Sequence, residues 1–147
     1  MSEIETKVSD VARPGSAKDS QNIPLYSSRP QAGFPAPGDD QVEKSLDIND
    51  LVVQNPASTF FVRVEGDSME GAGIFSGDVL VVDRSVDAKD GRIVVAAVNG
   101  EMLVKRLAKL DGQQVLLSAN DQYEPVVLGE DEECFIWGVV VGSVRTF

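Results

Sequence analysis

The sequence predicts a mainly β protein: a compact, mostly antiparallel β domain with one short helix, preceded by a flexible N-terminal arm. From Thr59 onward the chain is a succession of short apolar runs rich in Val, Leu, Ile and Phe, separated by Gly, Asp, Asn and Ser, which is the pattern of strands and turns. Two of the junctions, Asn99-Gly100 and Asp111-Gly112, have the composition of two-residue hairpin turns. Before residue 45 the pattern is different. Five of the seven prolines stand there (Pro14, Pro24, Pro30, Pro35 and Pro37), and no helical or strand period is sustained.

Residues 1 to 44 therefore read as a flexible or surface-draped arm, and residues 45 to 147 as the folded body. Within the arm, Arg29 to Pro35 (RPQAGFP) sets Ala32 and Gly33 between two prolines, which bias the flanks toward extended backbone. Small residues at the centre of an extended segment suit a protease groove; taken alone, the same segment reads as an ordinary turn in a linker. Asp47 or Ser45 can cap a short helix in which Ile48, Leu51 and Val52 share a face, ending near Asn55-Pro56. Strands are expected at Thr59 to Glu65, Val79 to Asp83, Arg92 to Val98, Glu101 to Ala108, Gln113 to Ala119 and Cys134 to Arg145, with a weak run near Pro125 to Leu128. The hairpin turns pair Arg92 to Val98 with Glu101 to Leu107, and that strand with Gln113 onward.

A chain of 147 residues accommodates one domain and a tail. It has no apolar run long enough to span a membrane, and its acidic start is not a secretory signal, so a cytoplasmic protein is expected. Cys134, the one cysteine, cannot form an internal disulfide or a thiolate metal site and reads as a buried strand thiol. No metal or cofactor is called for. Residues 1 to 33 carry four basic side chains (Lys7, Arg13, Lys18, Arg29) and four acidic ones (Glu3, Glu5, Asp10, Asp19), so the whole net charge of −11 belongs to the rest of the chain. An acidic body repels phosphates, and direct nucleic-acid binding is not expected.

The stretch Phe60 to Arg84 concentrates the chemistry. A strand delivers the chain into the turn Gly66-Asp67-Ser68-Met69, placing Ser68 at the mouth of a strand. There is no histidine, which excludes a Ser-His-Asp arrangement. Lysine remains as the base. On the strand Met102 to Leu107, alternation puts Leu103, Lys105 and Leu107 on one face, where poor solvation favours the neutral amine. A neutral lysine is a general base able to take the proton of Ser68. On the strand pattern alone, Lys105 reads more readily as a lysine whose stem packs and whose head reaches water. The backbone around Gly66, Asp67 and Met69 could supply an oxyanion hole, although Met69 also suits a core plug beneath the loop.

Gly66-Asp-Ser-Met69, the following Gly77-Asp78, and Val104-Lys105-Arg106-Leu107 resemble the paired serine and lysine motifs of the LexA-like family of self-cleaving serine peptidases, and its UmuD branch in particular. Gln31-Ala-Gly-Phe-Pro35 resembles that family's cleavage segment, cut before a glycine. The resemblance implies a LexA/signal-peptidase-like β fold, Ser68 as nucleophile, Lys105 as general base and Ala32-Gly33 as scissile bond. It further implies a homodimer, activation by a RecA-type recombinase filament on single-stranded DNA, and a UmuC-type DNA polymerase as partner in SOS mutagenesis. Alanine stands before the scissile glycine where relatives can carry cysteine, and the arm is longer than is usual in this branch. A LexA-type repressor would need a DNA-binding helical domain that residues 1 to 30 are too short and proline-interrupted to form. A signal peptidase would need a membrane anchor. A non-catalytic interaction subunit of the same fold is the alternative; a buried ammonium with no purpose would be a costly feature in it.

Overall fold

The computed structural model describes residues 5–14, 23–26, 42–120, 123–129 and 133–147. Ala32 and Gly33, with the rest of the Arg29 to Pro35 segment, lie outside the described residues. The chain divides into two units, one comprising Met1–Pro14 with Asn55–Phe147, the other Gly15–Gln54.

After β1 (Lys7–Ala12), which belongs to the larger unit, β2 (Ile23–Tyr26) pairs antiparallel with β3 (Val42–Leu46) in the smaller unit, and α1 (Ile48–Val52) follows. Asp47 caps α1, its carboxylate accepting from the Asn49 N–H at 2.9 Å, as an N-cap aspartate does. The apolar face shared by Ile48 and Leu51 is exposed. A helix of five residues is little more than one turn and presents no continuous stripe.

The larger unit is built on an eight-stranded antiparallel sheet in the order β1-β4-β5-β10-β6-β7-β8-β9. Its strands are β1 (Lys7–Ala12), β4 (Thr59–Glu65), β5 (Val79–Asp83), β6 (Ile93–Val98), β7 (Glu101–Leu110), β8 (Gln113–Leu117), β9 (Val126–Val127) and β10 (Cys134–Val144). Asn99 (φ 50°) and Gly100 (φ 84°) turn β6 into β7, and Asp111 (φ 51°) and Gly112 (φ 78°) turn β7 into β8. Both lie in the left-handed region that two-residue hairpins need. The predicted strands are thus present, the weak run near Pro125 being only the short β9.

Lys7–Ala12, which the sequence places in the arm, is a strand. Its burial pattern explains why no period marks it: only Val8 is half-buried and the other five residues are exposed. Lys7 pairs with Glu65 of β4 and also with Leu103 of β7. β1 therefore bridges two strands that lie four places apart in the sheet order and closes the sheet toward a barrel.

Closure makes two apolar clusters. One holds Val62, Val64, Met69, Ile74, Leu80, Val82, Val95 and Val104. The other holds Val94, Ala96, Val98, Leu103, Leu107, Leu116 and Val139, with Cys134 half-buried against it at the start of β10. Alternate residues of β6 and β7 enter different clusters, so both faces of these strands are covered. Among the described residues, no helix is long and apolar enough to cross a membrane.

Candidate active site

Ser68 follows β4 by three residues. Gly66, at φ 113°, reaches a conformation that only glycine adopts cheaply, and the chain then coils through a 3-10 turn at Glu70–Ala72. Met69 is fully buried and its carbonyl accepts from the N–H groups of Ala72 and Ile74 at 3.0 and 3.2 Å. The core-plug role thus has a structural basis in the first cluster. Gly71 sits against the strand end that follows β8: a Cβ there would lie 2.5 Å from the Ala119 carbonyl oxygen.

The far side of this loop is clamped. Asp78 is 1% exposed, and its two oxygens accept from Nε and Nη2 of Arg145 at 2.7 and 2.8 Å. The same Nη2 donates to the Gly73 carbonyl at 2.8 Å, and the guanidinium lies 4.3 Å from the Phe75 ring centroid. The hydrogen bonds from Arg145 hold the Asp78 carboxyl below its ordinary value against the opposing effect of burial. Such a fork is stronger than a neutral hydrogen bond. Arg145→Met leaves a buried carboxylate without its partner and is expected to lower stability, by less than the fully buried limit because Arg145 itself reaches solvent. Urea unfolding checks the cost, and hydrogen exchange over residues 70–78 should accelerate.

Lys105 occupies the middle of β7, and its side chain is 1% exposed. Leu103 and Leu107 flank it on the same face as expected, and both are buried. Its Nζ donates to Ser118 Oγ at 2.7 Å and forms an ion pair with Glu5. It also lies 5.6 Å from the ring centroid of Tyr123, whose hydroxyl donates to Asp67 Oδ1 at 3.2 Å. Tyr123 thus connects the lysine to the residue beside Ser68. Arg106 points away and donates to the Gly91 carbonyl at 2.7 Å.

Ser68 and Lys105, 37 residues apart in sequence, are brought to one short stretch of backbone. The Thr6 N–H donates to Ser68 Oγ at 2.8 Å, Glu5 holds Lys105, and the Val104 N–H donates to the Thr6 carbonyl at 3.0 Å. Consecutive Cα atoms are about 3.8 Å apart, so the serine and lysine side chains meet adjacent residues of the same segment. Register explains the arrangement. With Lys7 opposite both Glu65 and Leu103, the residues before Lys7 run antiparallel past the Ser68 turn on one side and past Val104 and Lys105 on the other.

Sequence reasoning passed over Glu5, Thr6, Ser118 and Tyr123. Ser118 was within reach: the pairing Leu110↔Gln113 through Arg106↔Leu117, extended one step, sets Ser118 opposite Lys105. Counting back from Asp111-Gly112 would have found it. Glu5 and Thr6 carry no such local signal.

The chain matches the family model described as peptidase S24-like over residues 24–141. It is similar to protein ImpA of Escherichia coli, 44% identical over 130 residues covering 88% of each chain. It is similar to protein MucA of Salmonella typhimurium, 40% identical over 136 residues covering 92% of each. Its likeness to the LexA repressor of Bordetella petrii, 36% identical over 143 residues, takes in 97% of this chain and 62% of the repressor.

Proposed function

This chain belongs to the peptidase S24-like family, in its LexA-like, UmuD-type branch, and from that premise we propose that it is a self-cleaving serine peptidase of the SOS response. Ser68 is the nucleophile, Lys105 the general base, and the bond between Ala32 and Gly33 of its own arm the substrate. Two buried side chains of the right chemistry, a hydroxyl and an amine, engaged by adjacent residues of one backbone segment, are the observation that carries this.

Neutral Lys105 takes the proton of Ser68 as Oγ attacks the Ala32 carbonyl. The tetrahedral intermediate collapses as Lys105 returns that proton to the departing Gly33 amine, leaving Ala32 esterified to Ser68. Water, deprotonated by Lys105, then cleaves the ester, freeing the Ala32 carboxylate and restoring the serine hydroxyl. Backbone N–H groups of the Gly66, Asp67 and Met69 turn are the candidate donors to the oxyanion. Ser118 orients the lysine through its 2.7 Å contact. The shortened product then acts, as a homodimer in the cytoplasm, with a UmuC-type translesion polymerase. A RecA-type filament on single-stranded DNA favours the form in which the arm is seated for cutting, by binding that form better.

Incubating the full chain at neutral and mildly alkaline pH, with intact mass spectrometry as readout, tests the reaction. Two fragments are expected, one ending at Ala32 and one beginning at Gly33, forming faster at alkaline pH because a lysine is a base only after losing its proton. Neither forms in Ser68→Ala. Absence of cutting at every pH, with the recombinase filament added as well, would make the chain a non-catalytic accessory subunit.

A further inference from the structure

The side chains of Ser68 and Lys105 are already engaged by one described segment: Glu5 and Thr6 lie across the pair. Thr6 donates its N–H to the oxygen that would attack, and the Lys105 amine directs its protons to Glu5 and Ser118. A lysine whose amine is directed at a carboxylate and a second hydroxyl is not placed to take the proton of Ser68. The Thr6 carbonyl, bound to the Val104 N–H, also takes the backbone position that an extended substrate needs in order to pair with β7.

We infer that residues 5–6, held by β1, are a built-in blocking segment that competes with the Ala32-Gly33 segment for the same groove. This rests on the peptidase function proposed above. Ser68 can meet one backbone at a time, so cutting requires the blocking segment to leave, and the observed rate is the intrinsic rate multiplied by the unblocked fraction.

The attachment is built to be reversible. β1 has one half-buried residue, and its register slips between Val8 and Asp10. Its side-chain ties are at the surface: Lys7 to Glu101 at 3.4 Å, Ser9 Oγ to the Arg63 carbonyl at 3.2 Å, and Arg13 to the Ala57 carbonyl at 3.1 Å. A segment with few buried apolar contacts opens at low cost. Thr6 adds a penalty of its own. Its hydroxyl is buried, with no hydrogen-bond partner among the described residues, which disfavours the blocked state. Glu5, with a charge-assisted contact to Lys105, is the principal counterweight.

Three full-length forms test this. Glu5→Ala is expected to cut between Ala32 and Gly33 about tenfold faster than the unaltered chain, the change that loss of one charge-assisted hydrogen bond brings to the blocked state. The second form pairs Asp10→Cys with Arg63→Cys, two exposed cross-strand neighbours. Oxidised, it pins β1 and should not cut; reduced, it should cut again, so a folding defect cannot imitate the result. Third, Ser68→Ala, which cannot cut, reports occupancy alone by hydrogen exchange over residues 5–12, with and without Glu5→Ala; exchange should rise with the second change.

Cutting that disappears in Ser68→Ala yet ignores both Glu5→Ala and the disulfide would overturn the blocking role and leave the peptidase intact. No cutting in any form, with exchange still responding to Glu5→Ala, would overturn the peptidase and leave the occupied groove. A fragment beginning at Thr6 would also overturn the inference, since the segment would then be a substrate.

Discussion

Lys105→Met should abolish self-cleavage, lowering the rate by about 10⁴-fold, while leaving the fold standing. The two effects have separate causes. Methionine keeps the unbranched stem between Leu103 and Leu107 but removes the amine proposed to take the proton of Ser68. The stability change is expected to be small because a buried cation is itself costly, and replacing one with an apolar side chain of similar length is often neutral or favourable. Glu5, left without its partner, is 29% exposed at the side chain and can turn to water. A melting temperature within about 5 °C of the unaltered chain, together with no fragments by intact mass, is the expected result. Lys105→Arg should be equally inactive for a different reason, since a guanidinium does not give up its proton. Cutting at an undiminished rate in either variant would remove Lys105 from the role of base.

Asp83→Ala should produce the largest loss of stability, about 3 kcal/mol, far from the reacting groups. Asp83 ends β5 and is 2% exposed. Four donors converge on it: Asn55 Nδ2 at 2.7 Å, Ser58 Oγ at 2.7 Å, and the Ser85 N–H and Oγ at 2.8 and 2.6 Å. These tie the 3-10 turn Pro56–Ser58, which launches β4, to the end of β5. Truncation removes the acceptor common to all four, and each hydrogen bond to a carboxylate contributes about 1 kcal/mol net, although Asn55 and Ser85 are exposed residues whose donors can turn to water.

Burial alone would raise the Asp83 carboxyl, but the hydrogen bonds from Ser85, Asn55 and Ser58 outweigh it and bring it down to about 2, from an ordinary 3.8. The folded state thus binds this proton less readily than the unfolded chain. The contribution of Asp83 is present in full above pH 4 and is lost as the pH falls toward 2. Urea unfolding at pH 7 and at pH 2.5 should show the gap between Asp83→Ala and the unaltered chain narrowing on acidification; an equal gap at both pH values would refute the assignment.

Much of the body was legible because its signals are local. Asn99-Gly100 and Asp111-Gly112 determine their hairpins through two backbone conformations each, and those turns set the β6-β7-β8 register without help from the rest of the chain. Ser68 and Lys105 could be marked for a similar reason. A serine after a strand on a glycine turn, and a lysine between two leucines on a strand face, are visible within a few residues. The sequence also excluded a histidine base, because it contains no histidine.

What only the tertiary structure decided is which backbone lies against that pair. β1 has no apolar stripe to betray it, since it is held by main-chain pairing to the free edges of β4 and β7, and hydrogen bonds of the backbone leave no mark on side-chain pattern. Glu5 meets Lys105 across 100 residues of sequence, and Tyr123 links Lys105 to Asp67 from a connection between strands. Local propensity and periodicity reach only as far as a turn or a strand; closing the sheet on itself is a long-range event, and it is closure that joins the serine turn, the lysine strand and the segment lying over both.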